Sequence, residues 1–140
     1  MGNYKLTTIK DPSGIYISSN GVESVLMDNK PGKTFMNPAE VLLSSLGACK
    51  AMGFYDLAAK YNMDIKNCII EIESETGRGP VSEYTKRPVS MVLSIEFVYK
   101  IESTNTDEEL ENFLHYVNGA CTVSNSLNKD IKQSYRFERI

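Results

Sequence analysis

Apolar residues along this chain follow two different periods, which predict a mixture of strands and helices. Several segments place apolar residues at every second position, as in Ile70-Glu71-Ile72, and this period is typical of β-strands. The predicted strands cover residues 3–10, 15–28, 65–76, 88–101 and 131–140. Turn-forming residues punctuate the first two, at 11–14 and 19–21, and the polar segment 77–86 is predicted to be a loop between the two long strands.

The clearest helix signal begins at Asn37. Asn37 is a favourable N-cap, Pro38 suits the first helical position, and Glu40 has the spacing of a capping box. The helix is predicted to extend to about residue 62, with its apolar face formed by positions 42, 46, 49 and 57. Cys49 is therefore expected to point toward the interior.

A second helix is predicted to begin at Thr106, which has capping-box spacing to Glu109, and to end at Gly119 in a left-handed cap. A short third helix over residues 122–129 would then have Cys121 at its N-terminus. The element order β-β-α-β-β-α-α-β predicts an α+β fold in which two main helices cover long amphipathic strands.

Composition restricts the classes of function. The chain has 140 residues, of which 41% are hydrophobic and 24% charged, so a single soluble domain over 1–140 is expected. The net charge of −3 and the scattered lysines and arginines predict no nucleic-acid partner. No apolar stretch reaches the ~20 residues that a membrane span requires. We therefore expect no membrane association. Because the chain shows no export signal, its odd number of cysteines, three, predicts a reducing, cytoplasmic location.

The cysteines are the natural place to look for chemistry, since a thiolate is a strong nucleophile. Cys121 should be acidified by the helix that follows it, whereas Cys49 lies in mid-helix and needs a cation from another segment or another subunit. The alternative is that both are small core residues. Cys68 is interpreted as strand packing. His115, the only histidine, is expected on the solvated surface, and no Cys/His spacing predicts a metal site.

The sequences around Cys49 and Cys121 resemble the OsmC/Ohr family, the osmotically induced and organic hydroperoxide resistance proteins of bacteria. The resemblance rests on two strings: Asn37-Pro38-x-Glu40-x-Leu42-Leu43 leading to Cys49, and Cys121-x-Val123-Ser124-Asn125-x-Leu127. It implies an OsmC-like fold, with long antiparallel strands wrapped around two central helices in an intertwined homodimer. An obligate dimer also agrees with a first helix that is apolar on more than one face.

The resemblance also implies a function, an antioxidant, stress-response enzyme that reduces organic hydroperoxides and to some extent hydrogen peroxide. Cys49 resembles the redox-active peroxidatic cysteine and Cys121 the resolving one. Glu40 resembles the glutamate that holds an essential arginine against the first thiolate. No metal or organic cofactor is required, and an external dithiol would reduce the resulting disulfide.

This chain departs from the family pattern at two positions. No arginine precedes Arg78, so we expect Lys30, Lys33 or Arg87, supplied by the partner chain, to replace the family arginine beside Cys49. Thr122 stands where a proline commonly follows the resolving cysteine. The alternative function is a non-catalytic OsmC-like dimer that binds a small apolar ligand or senses oxidants through Cys49.

Overall fold

A computed structural model describes residues 2–30 and 34–140, which fall into two compact units, 1–44 and 45–140. The first unit contains a three-stranded antiparallel sheet of order β1-β2-β3. Its strands are β1 (Thr7–Lys10), β2 (Tyr16–Ser19) and β3 (Ser24–Met27). None of the helices in the described part of the chain is both long and apolar enough to cross a membrane.

The predicted strand over 15–28 is in fact two strands, β2 and β3, so residues 2–30 hold one strand more than expected. The turn at Asn20 separates them. The Asn20 side-chain oxygen accepts hydrogen bonds from the backbone N–H groups of Val22 and Glu23, at 2.9 and 2.8 Å. Gly21 adopts a φ of 97°, which glycine tolerates better than other residues. The sequence predicted turn residues here, and in the structure the chain reverses its direction at them, so that β2 and β3 pair antiparallel.

Helix α1 (Pro38–Lys60) leads from the first unit into the second, which holds the remaining elements. They are β4 (Ile65–Val81), β5 (Pro88–Ser103), α2 (Asp107–Gly119), α3 (Thr122–Asn125) and β6 (Lys132–Arg139). Strand β5 is central in the sheet. It pairs antiparallel with β4 and parallel with β6. The predicted α+β fold and its two long antiparallel strands are confirmed.

Two boundaries and one helix cap differ clearly from the predictions in this unit. Strand β4 continues through the expected loop to Val81, with register shifts along the way. Gly77 favours this extension, because a Cβ there would lie only 2.6 Å from Leu93 Cδ1 on β5, so the missing side chain leaves room for Leu93. Helix α3 ends at Asn125. Helix α2 ends at an ordinary right-handed cap, Ala120 with a φ of −92°, rather than at a left-handed Gly119.

The core of the second unit forms where α1 and α2 pack on β5. The Phe54 ring on α1 stacks on Tyr99 at 6.0 Å and meets Phe113 of α2 edge-on at 5.1 Å. The buried residues of α1 recur at every fourth position: Leu46, Lys50, Phe54 and Ala58. This face differs from the predicted one, because it passes through Lys50 and leaves Cys49 half-buried at its edge. A lysine on the innermost face of a helix needs an explanation.

Candidate active site

Two cysteines from different elements meet in the second unit. Cys49 lies in α1, and Cys121 is the N-cap of α3, only 3% exposed. Their thiols form a hydrogen bond with each other, and neither is in a disulfide. The structure therefore brings together the two residues that the sequence motifs singled out. Two thiols within hydrogen-bonding reach are neighbours that can form a disulfide on oxidation.

The surroundings of Cys49 favour its thiolate. Burial raises the pKa of Cys49, but the hydrogen bond from Cys121 lowers it, as do the backbone N–H groups of Val123 and Thr122 and the charge of Lys50. These opposing effects leave the pKa of Cys49 below its ordinary value. Cys49 is thus the more acidic partner of the pair.

The pKa of Cys121 is raised instead. This is the opposite of the expectation from sequence, which was that the helix after Cys121 would lower its pKa. Burial raises the pKa of Cys121, and the hydrogen bond with Cys49 raises it further. The N–H of Ser124, 3.4 Å from Cys121 Sγ, and the charge of Lys50 offset this only in part. The N–H groups of Thr122 and Val123 instead donate to Cys49 and lower its pKa, because the start of α3 lies against α1.

Lys50 follows Cys49 in sequence and is buried beside both thiols, with 2% of its surface exposed. Its Nζ donates a hydrogen bond to Ser124 Oγ at 3.4 Å and lies 4.6 Å from the centroid of the Phe97 ring. Burial lowers the pKa of Lys50, and the neighbouring Cys121 and Cys49 oppose this by raising it. Within residues 45–140, no carboxylate forms a salt bridge with Lys50.

Ser124 is held in place by Gln133 on β6. The Ser124 hydroxyl donates to Gln133 Oε1, and Gln133 Nε2 donates back to the Ser124 carbonyl at 3.1 Å. Because the hydroxyl hydrogen is directed to Gln133, a lone pair of the same oxygen is left for Lys50. This network fixes the position of the ammonium group next to the thiols.

A polar cleft of about 250 Å³ opens beside Lys50. Its lining also includes Phe97, Asn118, Ser124 and Gln133. A wider groove of about 610 Å³ lies between α2 and β6, but none of the three cysteines lines it. No cysteine lines the cleft at Lys50 either, but this cleft gives a small molecule access to the lysine whose charge lowers the pKa of both thiols.

The structure agrees with the interpretation of Cys68 as a packing residue of a strand and of His115 as a surface residue. Cys68 lies half-buried on β4, where its N–H donates to Tyr55 Oη at 3.0 Å, and burial raises the pKa of its thiol to about 12. Such a thiol is unreactive at neutral pH. His115 is exposed, and its Nδ1 lies 2.6 Å from Tyr135 Oη.

Glu40 occupies the capping box that the sequence predicted. Its N–H donates to Asn37 Oδ1 at 2.9 Å, and its Oε1 accepts from the Asn37 N–H at 3.2 Å. Both bonds lie within the first unit and define the start of α1. The further role of Glu40, holding a cation for Cys49, stays a prediction.

The three predicted cations do not include the lysine that the structure places beside Cys49. Lys30 belongs to the first unit, where its Nζ would be 2.5 Å from a Cβ at Gly14. Lys33 lies outside the described residues, and Arg87 is an exposed residue just before β5. A role for any of them at Cys49 stays a prediction.

The sequence did not indicate Lys50, because residues adjacent in a helix point about 100° apart and the cation for Cys49 was therefore expected from a distant segment. The available signal was its spacing. Lys50 lies four residues after Leu46 and four before Phe54, on an otherwise apolar face.

The comparisons with known proteins agree with this fold. The family model for OsmC-like proteins matches residues 30–136, which include Cys49, Lys50 and Cys121. Among curated proteins, no sequence matches this chain significantly.

Solved structures match the fold over almost the whole chain. The OsmC-like protein of Mycoplasma pneumoniae is 18% identical, with a TM-score of 0.85 over 99% of this chain and 98% of that one. The organic hydroperoxide resistance protein OsmC of Legionella pneumophila is 12% identical, with a TM-score of 0.75 over 99% and 98%. The organic hydroperoxide resistance protein OhrB of Bacillus subtilis is 16% identical, with a TM-score of 0.70 over 98% of both chains. At these identities the structures establish a shared fold, and together with the match over residues 30–136 they lead to one conclusion: this chain belongs to the OsmC-like protein family.

Proposed function

We propose that this protein is a cysteine-based peroxidase that reduces organic hydroperoxides, and hydrogen peroxide less efficiently. The observation that carries the proposal is the hydrogen-bonded pair of Cys49 and Cys121, in which one thiol is acidified and the other is not. Membership of the OsmC-like family supports a peroxide-related role, because structural neighbours in Legionella and Bacillus are named as organic hydroperoxide resistance proteins.

The reaction has two steps at the sulfur of Cys49. The thiolate attacks the terminal oxygen of ROOH, so that an S–O bond forms, the O–O bond breaks, and the alcohol ROH leaves after protonation. Cys49 is then a sulfenic acid. The sulfur of Cys121 attacks it, a disulfide forms, and the oxygen leaves as water. An external dithiol reduces the disulfide and returns both thiols.

The difference between the two cysteines assigns their roles. Cys49 is half-buried and has a lowered pKa, so it supplies the thiolate that reacts first. Cys121 is buried and has a raised pKa, which keeps it protonated until a sulfenic acid forms next to it. The reverse order would require the buried, less acidic thiol to meet peroxide first.

A homodimer is part of this proposal. Large apolar side chains of the second unit remain exposed in the single chain, among them Met52 at 67%, Tyr55 at 45% and Ile69 at 48%. Met52 and Tyr55 lie on α1, and Ile69 lies on β4. A second copy that covers these elements would remove this apolar surface from water. The proposed setting is the cytoplasm, where dithiol reductants are available.

The alternative, an apolar-ligand module without catalysis, has less support. The cleft beside Lys50 presents the Lys50 ammonium, the Ser124 hydroxyl and the Gln133 amide, which an apolar ligand could not satisfy. An acidified thiol is also unnecessary for binding such a ligand.

Peroxide consumption tests the proposal. Native protein, Cys49→Ser and Cys68→Ser are each mixed with cumene hydroperoxide and dithiothreitol, and the remaining peroxide is measured over time. Native protein and Cys68→Ser should consume peroxide at similar rates, whereas Cys49→Ser should not exceed the rate with dithiothreitol alone. Consumption by Cys49→Ser at the native rate, or none by native protein, would refute the function.

A further inference from the structure

We propose that Lys50 is a catalytic residue, which donates the proton to the leaving alkoxide in the first step and accepts the proton of Cys121 in the second. This inference rests on the peroxidase function proposed above. Lys50 is the cation at the thiol pair in the described part of residues 45–140. Ser124 links it to Cys121, since the Ser124 hydroxyl contacts Lys50 Nζ at 3.4 Å and the Ser124 N–H contacts Cys121 Sγ at 3.4 Å.

The first step needs an acid. When the Cys49 thiolate breaks the O–O bond, the remaining RO⁻ is a strong base and a poor leaving group unless it is protonated. The Ser124 hydroxyl cannot serve, because its hydrogen is directed to Gln133. Lys50 lines a cleft of about 250 Å³, and its ammonium group, which carries three hydrogens, interacts electrostatically with both thiols. Its proton passes to RO⁻, giving ROH and a neutral Lys50 amine.

The second step needs a base, and the first step has just produced one. Cys121 is buried and holds its proton. The neutral Lys50 amine accepts that proton as the S–S bond forms and the S–O bond of the sulfenic acid breaks. The same proton then passes to the departing hydroxide, which leaves as water. When an external dithiol has reduced the disulfide, the Cys49 thiol returns a proton to Lys50 and restores the thiolate and the ammonium.

The surroundings of Lys50 suit a group that gains and loses a proton. Burial lowers the pKa of Lys50, and the neighbouring Cys121 and Cys49 offset this only in part, so Lys50 gives up its proton more readily than an exposed lysine does. Ser124 Oγ can accept a hydrogen bond from the Lys50 nitrogen in either protonation state, whereas the Phe97 ring attracts only the charged form. An arginine could stabilise the Cys49 thiolate equally well, but it cannot lose its proton in a protein.

This difference provides the test. Alkylation of Cys49 by iodoacetamide needs the thiolate but no proton donor, since iodide leaves unprotonated, whereas reaction with cumene hydroperoxide needs both. Lys50→Arg keeps the charge and should alkylate at close to the native rate. Its reaction with peroxide should be slower by about 10²-fold, because positioned proton transfer contributes roughly 10²–10⁴-fold. Lys50→Met should be slow in both reactions. Dimedone trapping should also show longer-lived sulfenic acid in Lys50→Arg than in native protein.

A rescue experiment provides a second test of the same inference, for use if the arginine of Lys50→Arg is too large for the buried site. Lys50→Ala should regain peroxide reactivity with added ethylamine, which can carry a proton, and not with tetramethylammonium, which carries only charge. Native peroxide rates in Lys50→Arg, or equal rescue by both cations, would overturn the inference and leave Lys50 as a simple charge. Native protein that alkylates normally but ignores peroxide would instead refute the peroxidase function itself.

Discussion

Replacing Thr122 by proline removes one hydrogen bond to the Cys49 thiolate and changes little else. The first hydrogen bond of α3 runs from the Asn125 N–H to the Cys121 carbonyl at 3.0 Å, so the Thr122 N–H has no acceptor within the helix. It faces Cys49 instead. Proline is well accepted at the first helical position, and Cys121, with φ −78° and ψ 109°, already has the extended conformation that precedes proline.

The size of the effect follows from the strength of such bonds. Hydrogen bonds to charged groups contribute about 1.5–3 kcal/mol. Because about 1.4 kcal/mol corresponds to a factor of ten in the thiolate population, alkylation of Cys49 near neutral pH should slow by about tenfold or more. The Thr122 N–H is one of the groups that lower the pKa of Cys49.

The rate is measured by iodoacetamide alkylation at several pH values, with peptide-resolved mass spectrometry to separate Cys49 from the other thiols. Thr122→Ala is the matched control, because it removes the hydroxyl and keeps the N–H; it should alkylate at the native rate. Equal slowing in Thr122→Pro and Thr122→Ala would assign the effect to the side chain. Native rates in both would show that this N–H does not stabilise the thiolate.

Three further predictions follow from the same geometry. Lys50→Met should raise the melting temperature measured by circular dichroism. Replacing a buried charge by an apolar side chain of similar volume is often neutral or stabilising by about 1–4 kcal/mol. A clear fall in the melting temperature would show that the ammonium group stabilises the fold. As pH rises, alkylation should reach Cys49 first, then Cys121 and last Cys68, whose pKa is raised to about 12; early labelling of Cys68 would contradict the assigned environments. Sedimentation at low micromolar concentration should give twice the chain mass of 15.7 kDa, and a stable monomer would exclude the obligate dimer.

The features that were predictable from sequence are those decided by neighbouring residues. Two capping boxes were predicted, at Asn37–Glu40 and Thr106–Glu109, and both are present with reciprocal hydrogen bonds. They depend on spacing within one turn, which is visible in the sequence. The strands and their order along the chain were likewise readable from the period of apolar residues, with two exceptions: the turn at Asn20 divides one segment in two, and β4 continues through the predicted loop to Val81.

The electrostatics of the thiol pair could not be predicted in the same way. Cys121 precedes α3, so local reasoning gave it the free N–H groups, but the packing of α3 on α1 turns those of Thr122 and Val123 toward Cys49. Lys50 reaches the pair only because Ser124 and Gln133, distant in sequence, hold its nitrogen there. Which thiol is acidified is therefore decided by tertiary contacts.

The stoichiometry of a single turnover tests the central claim most directly. Fully reduced protein, free of dithiol, is titrated with cumene hydroperoxide, and the alcohol and the cysteine-containing peptides are quantified by mass spectrometry. The account predicts one alcohol per chain and one new disulfide, between Cys49 and Cys121, with Cys68 still a free thiol. A disulfide through Cys68, or peroxide that remains unreduced while both thiols stay free, would contradict it.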